Sequence, residues 1–171
     1  SVLDDDAFEV INPLEGQAEF VHAVAFKQVL VLWGRKGQAK VRATQGALTP
    51  DTVACEPYSR YEVSPLVRPQ ASNDRIYFAT PRGRSATAVY EVEVPSTGNE
   101  DAAEGDDMSV SVPRYIPSGI NHAATCVVNY LTVYGKIGDT YVTPHLYRYS
   151  DRERVQNSWS RWSLPEGCTY A

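Results

Sequence analysis

The chain has 171 residues with a formal net charge of −5, of which 43% are hydrophobic and 22% charged. That length and balance fit a globular β-rich domain and exclude a disordered segment. The acidic balance argues against a tight grip on duplex nucleic acid, which needs a basic stripe. Eleven tyrosines, many valines and threonines and one methionine favour strands over helices, and eleven prolines with eleven glycines supply turns.

In chain order, residues 1–17 read as an irregular acidic lead-in carrying Asp4, Asp5 and Asp6. Residues 18–26 fit a short helix or a strand about equally. The run Gln28–Trp33 reads as a strand buried on both faces. It is followed by a tight turn at Arg35-Lys36-Gly37 and a returning strand over 38–43, so 28–43 is expected to be a hairpin. A turn follows at Leu48–Asp51, then a short strand over 60–63 ended by Pro65. Strands are predicted at 75–79 and 87–94, paired as a hairpin, with Tyr90, Val92 and Val94 on one face and Glu91 and Glu93 on the other.

Residues 95–107 hold Ser, Thr, Gly, Asn and several acids and read as a mobile surface loop. Residues 108–112 alternate like a strand, and 113–117 read as extended because each proline biases its predecessor away from helix. Further strands are expected at 123–128, 130–134, 140–149 and 159–164, with a polar turn at 150–154. Trp159 and Trp162 stand three apart. If Asn157–Ser163 is a strand, their rings face opposite ways, one toward a core and one onto a neighbouring surface.

The segment His22–Gly34 can be laid on His122–Gly135 with a one-residue gap, and Asn73–Ala79 with Pro81-Arg82-Gly83 reads as a third copy. The period is about 45 to 55 residues, the spacing of β-propeller blades or stacked antiparallel meanders. Chance similarity among hairpins is the alternative. Three units cannot close a ring of about four to eight blades, so the chain is expected to be part of a larger polypeptide or assembly. A start at Ser1 rather than Met fits an excised domain or a processed product.

The catalytic inventory is thin. The motifs of the nucleophile elbow, the zinc peptidases, phosphate-binding loops and zinc deaminases are missing from the sequence. His22 and His122 fall at equivalent places in the repeat, which favours structural roles for them. Cys55, Cys126 and Cys168 have no metal spacing and read as reduced thiols from a cytosolic synthesis compartment. The acids at 4–6 and 100–107 are taken as solvated rather than as a glycosidase pair or a calcium loop. The basic groups Arg35-Lys36, Arg82/Arg84 and Arg152/Arg154 are taken as solvated turn tips. No catalytic, cofactor or metal residue is assigned, no cofactor is expected, and no apolar run is long enough to span a membrane as a helix.

The ordered series Leu48-Thr-Pro50, Arg75-Ile-Tyr-Phe78, Pro81-Arg-Gly83, Val89-Tyr-Glu91, Pro113–Gly119, Leu146-Tyr-Arg-Tyr149 and Val155–Trp162 resembles the central part of the tail tubular protein B family, the nozzle proteins of T7-like short-tailed phages. The resemblance runs from about His22 to Gly167. It implies an internal fragment of a longer virion structural protein, all-β, with antiparallel sheets like blades of a β-propeller. Within residues 1–171 it implies a blade-like region over 18–94 and another over 108–171. It also implies a hexameric assembly: six copies in a ring around the DNA exit channel, touching the tail adaptor and tail fibres. DNA would pass without sequence-specific binding. Such a protein is made in the bacterial host cytoplasm and resides in the virion, and the family offers no catalytic residues to carry over. Two other readings stand beside it. One is a carbohydrate-binding virion module that stacks sugars on Trp33, Trp159, Trp162 or exposed tyrosines; the other, less favoured, is a glycan hydrolase.

Overall fold

The computed structural model describes residues 13–14, 19–27, 29–93, 104–151 and 153–170. Every regular element among them is a β-strand, and the strand pairings are antiparallel. The chain forms two compact units, Ser1–Val63 with Glu93–Glu104, and Ser64–Val92 with Gly105–Ala171.

The first unit holds one sheet in which four strands follow one another in chain order: β1 (Phe20–Phe26), β2 (Val29–Gly34), β3 (Gly37–Ala43) and β4 (Val53–Ser59). The expected hairpin over 28–43 is present as β2 and β3, turning at Arg35-Lys36 between the paired Gly34 and Gly37. A Cβ on Gly34 would lie 3.1 Å from the Gly37 carbonyl oxygen, so the turn is closed by two residues that can approach without side chains. The ambiguous segment 18–26 is strand from Phe20 onward, as the alternation of Val24 and Phe26 (buried) with Ala23 and Ala25 (exposed) requires.

Register separates the two faces of this sheet. Val24, Val31, Lys40 and Glu56 form one cross-strand row. Ala25, Leu30, Val41 and Cys55 form the neighbouring row on the opposite face, as do Ala23, Leu32, Ala39 and Pro57. The first face also carries the buried Trp33 and Gln38, whose carboxamide binds the segment after β4 through the Tyr61 backbone and the Ser59 hydroxyl. β2 is therefore not buried on both faces as expected, since Leu30 is 37% exposed. β4 escapes the sequence reading because Pro57 lies inside it. A proline is tolerated there because β4 pairs only with β3 and is an edge strand. The strand expected at 60–63 is irregular chain, anchored by the Val63 amide on the Arg35 carbonyl.

The second unit holds two sheets. The first has the order β5 (Gln70–Ser72), β6 (Arg75–Arg82), β7 (Ala86–Glu93) and β8 (Asp106–Asp107). The second has the order β12 (Glu153–Trp159), β11 (Tyr141–Ser150), β10 (Leu131–Gly135) and β9 (His122–Cys126), with β13 (Trp162–Ser163) paired to β11. Four strands of each sheet thus form a meander in chain order, and only β13 departs from it by pairing back to β11. Two of the sequence copies fall on the first hairpins β1–β2 and β9–β10, while the third, 73–83, covers the turn after β5, β6 and the start of the next turn.

Val67, Tyr77, Ala79, Val89, Met108, Ile116, Ile120, Tyr134 and Tyr147 form the core of this unit, drawing on both of its sheets. Asp106–Asp107, expected in the loop, instead closes the first sheet by pairing with Tyr90 and Glu91; residues 95–103 of that loop, like 1–12 and 15–17 of the lead-in, lie outside the described residues. Residues 108–112 are turns rather than the expected strand. Met108 and Ser109 are buried in sequence neighbours of an exposed Val110, and the Val112 amide folds back to the Ser109 carbonyl at 3.0 Å. Residues 113–115 are likewise turns, with the Tyr115 amide on the Val112 carbonyl, and only the end of the expected extended stretch pairs as a strand would, Pro117 bridging Ala86. β12 begins at Glu153, just after the positive-φ Asp151, so the expected turn is shorter and the strand starts earlier than alternation suggested.

Candidate functional site

The polar chemistry of the second unit gathers at two buried clusters. Met108 anchors the first. Its carbonyl accepts from Asn157 Nδ2 at 3.0 Å and from Trp159 Nε1 at 2.9 Å, and its amide donates to the Val89 carbonyl at 2.8 Å. The Asn157 side-chain oxygen meets His145 Nε2 at 2.9 Å, and the His145 ring lies flat on Trp159 with centroids 4.2 Å apart and planes 10° apart. Register explains the stack: His145 on β11 is directly opposite Trp159 on β12. His145 is fully buried, and burial pushes its imidazole down to about 4, helped by the Arg154 charge and opposed by the Asn157 bond. It is neutral at pH 7 and fixed by packing on both sides.

Glu91 anchors the second cluster. It is 1% exposed on β7 and meets Arg75 Nη1 at 3.2 Å, Arg154 Nη1 at 3.5 Å and the Tyr149 hydroxyl. Burial pushes the carboxyl up, while the Tyr149 bond and then the two guanidiniums pull it down. Arg75 also lies 4.1 Å over the Tyr149 ring. β7, β6, β11 and β12 each contribute one of these groups, so the cluster ties the two sheets of this unit together. A carboxylate held by two cations and a phenol in the interior serves as a strut between sheets.

These clusters relocate several residues that the sequence reading placed in solvent. Arg82 pairs with Asp107, and Arg154 reaches both Glu91 and Asp106, so neither is a free turn tip. Glu91, expected on the outer face of its strand, is interior. Nothing in the alternation of 87–94 marks that inversion, because the arginines that meet Glu91 are brought to it from β6 and β12. Arg35 faces Glu19 at 3.6 Å, both exposed.

Trp33 is completely buried and Trp159 is covered by His145, so neither offers the sugar platform considered above. Trp162 is 49% exposed. Beside it, Arg161 lies 4.3 Å over the Tyr141 ring and 5.0 Å over the Tyr115 ring and donates to the Tyr115 carbonyl at 3.1 Å. His22 is half-buried, while His122 is exposed with its ring edge 5.4 Å from Tyr170. The cysteines are free thiols, Cys126 and Cys168 exposed and Cys55 half-buried. Among the described residues no three His, Cys, Asp or Glu side chains converge as a metal site. No helix among them is long and apolar enough to cross a membrane.

Known proteins match this chain along its whole length. It is 27% identical over 168 residues to the tail tubular protein gp12 of Escherichia phage T7, an alignment covering 95% of this chain and 20% of that protein. The chain thus spans about a fifth of the length of the curated relative it matches. The family model described as bacteriophage nozzle protein matches residues 1–171. With an all-β chain of antiparallel meanders and a match from end to end, the chain belongs to the bacteriophage nozzle protein family, structural components of the phage tail.

Proposed function

We propose that this chain is one module of a longer nozzle polypeptide, and that its sheets are blades of a propeller-like domain. Six copies of that polypeptide close a ring around the DNA exit channel of a short-tailed phage, joined to the tail adaptor and tail fibres, and take part in genome ejection. The observation that carries the reading is the family match together with three successive antiparallel sheets, each built on four strands that keep chain order, the last with β13 added beside β11. That is the topology of a propeller blade, in which each small sheet buries its faces on its neighbours. The expected region 18–94 then spans two such sheets, β1–β4 and most of β5–β8, and the region 108–171 holds the third, β9–β13.

The interior chemistry agrees with a passive wall. Its buried charges are spent between strands, and a net charge of −5 repels passing phosphates rather than gripping them. Heterologous contacts that close on themselves give rings of cyclic symmetry. Electron microscopy of the full-length polypeptide, alone and mixed with its tail adaptor, tests the proposal. Six-fold rings with a central channel are the expected result; dispersed monomers in the presence of adaptor refute it.

A further inference from the structure

Two polar atoms in the interior of the second unit have no protein partner among the described residues: the Tyr134 hydroxyl and Nδ1 of His145. Their residues are 1% and 0% exposed. A polar atom buried without a bond is unfavourable, so such atoms are paired with protein or with ordered water. Register puts these two side by side. Thr132 on β10 is opposite His145 on β11, and Tyr134 is opposite Thr143, so Tyr134 and His145 are diagonal neighbours on one face of the sheet. Both rings also approach the Trp159 indole, with centroids 5.9 and 4.2 Å from it.

The bonds that start at Met108 fix what each atom can do. The Met108 carbonyl can only accept, so the Asn157 atom 3.0 Å from it is the amide nitrogen, and the Asn157 oxygen faces His145. That oxygen accepts, so His145 Nε2, 2.9 Å away, carries the proton. In a neutral imidazole the other nitrogen then holds a lone pair. Nδ1 is therefore an acceptor, and the Tyr134 hydroxyl brings a proton. The two atoms are complementary, yet they do not bond each other directly.

We infer that Tyr134 and His145 hold one buried water molecule between them, on the face of β10 and β11 that looks into the core. The water accepts from the Tyr134 hydroxyl and donates to His145 Nδ1. A cation in its place would leave the hydroxyl proton without an acceptor, and a simple anion has nothing to donate to Nδ1. Thr143, buried on the same face and opposite Tyr134, brings a third polar group, and three bonds are what a buried water usually makes. The resulting line of bonds runs from Met108, in the turn after β8, through Asn157 on β12 and His145 on β11 to Tyr134 on β10. It holds the His145 tautomer from both ring nitrogens and pins β10 to the rest of the core by a polar link.

Two measurements on the full-length polypeptide test this. In a crystallographic or electron-microscopy map at about 2 Å or better, a single peak should stand within about 2.6–3.2 Å of both Tyr134 Oη and His145 Nδ1. Tyr134→Phe removes the donor and keeps the ring. It should speed hydrogen exchange of the β10 and β11 amides about three- to tenfold, read by mass spectrometry, because a made bond is lost. Removing a hydroxyl that had no partner would instead leave that exchange unchanged or slow it. Unchanged or slower exchange therefore overturns the inference. So does a map with no peak at that place, or one in which the hydroxyl bonds Nδ1 directly.

Discussion

Trp159 and Trp162 stand three residues apart, yet their removal should have very different consequences. Trp159→Ala deletes an indole that lies flat on His145, approaches Tyr134 with centroids 5.9 Å apart, and donates to the Met108 carbonyl. Loss of the ring stack costs about 0.5–1.5 kcal/mol beyond area. The lost hydrogen bond adds about 1 kcal/mol, a modest sum because Asn157 still serves the same carbonyl. With the cavity left beneath His145, the total falls at about 3–5 kcal/mol. For a chain of this size that is a drop in Tm of about 6–20 °C. Trp162→Ala, at a half-exposed ring on a two-residue strand, should cost less than about 1 kcal/mol. Trp159→Phe separates the contributions: it keeps an aromatic ring over His145 and gives up the donor, for a loss of about 1–2 kcal/mol. Urea unfolding followed by circular dichroism measures all three. Equal, small losses for the two alanine variants would refute the assignment of Trp159 to the interior and Trp162 to the surface.

Three further outcomes are expected. His145 is neutral when folded, with its ionisation lowered from 6.5 to about 4, so its contribution is complete above pH 6.5 and is lost as pH falls toward 4. The unfolded chain binds the proton first in that window, and the ceiling on the loss is about 3 kcal/mol. His145→Gln should flatten the stability-against-pH curve there, an effect read by urea midpoints at pH 7, 5.5 and 4.5. Glu91, whose carboxyl is raised, acts with the opposite sign in acid. Glu91→Ala leaves Arg75 and Arg154 facing one another without their shared anion and should cost about 3–5 kcal/mol at pH 7; Glu91→Gln should recover part of that by accepting from the guanidiniums, as thermal melts will register. Gly135→Ala places a Cβ 2.9 Å from the Tyr170 ring, so the ring must move from its seat beside His122. The expected cost is about 1–3 kcal/mol, with faster proteolytic trimming of the chain after Leu164.

The sequence was most readable where local chemistry and fold agree. A continuous apolar run ending at Gly34, a tight turn closed by Gly37 and a returning strand let the hairpin over 28–43 be placed from local sequence alone. β6 and β7 were likewise readable, and two copies of the repeat fell on the hairpins β1–β2 and β9–β10, each ending in an aromatic residue and glycine, Trp33-Gly34 and Tyr134-Gly135. β4 was hidden by Pro57, since a proline reads as a break unless the strand is known to be an edge. Residues 108–112 misled in the other direction. Their alternation of apolar and serine residues mimics a strand, but Met108 and Ser109 are both buried by sheets distant in sequence, and the turn between them and Val112 satisfies its own amides. The inward position of Glu91 was not readable at all, because its partners at 75, 149 and 154 are brought to it only by pairing between sheets. Depth in a sheet is a property of what stacks on it, and a single strand does not carry that information.

The spans of chain bridged by the interior bonds also set an order for synthesis. In the first unit the Tyr58 hydroxyl closes on the Glu93 carbonyl, although residues 64–92 belong to the other unit, so this contact waits until that whole excursion has been made. In the second unit Ser72 meets Tyr147, Glu91 meets Tyr149 and Met108 meets Trp159, with sequence separations of 75, 58 and 51. At about 5–20 residues per second on the ribosome, Tyr77 and Glu91 stay without their partners for several seconds after they are made. During that interval Glu91 has only Arg75 of its own β6–β7 hairpin as a partner, and the apolar face of that hairpin is the surface a host cell has to carry. Only when β11 and β12 have been made does Glu91 gain Tyr149 and Arg154 beside Arg75.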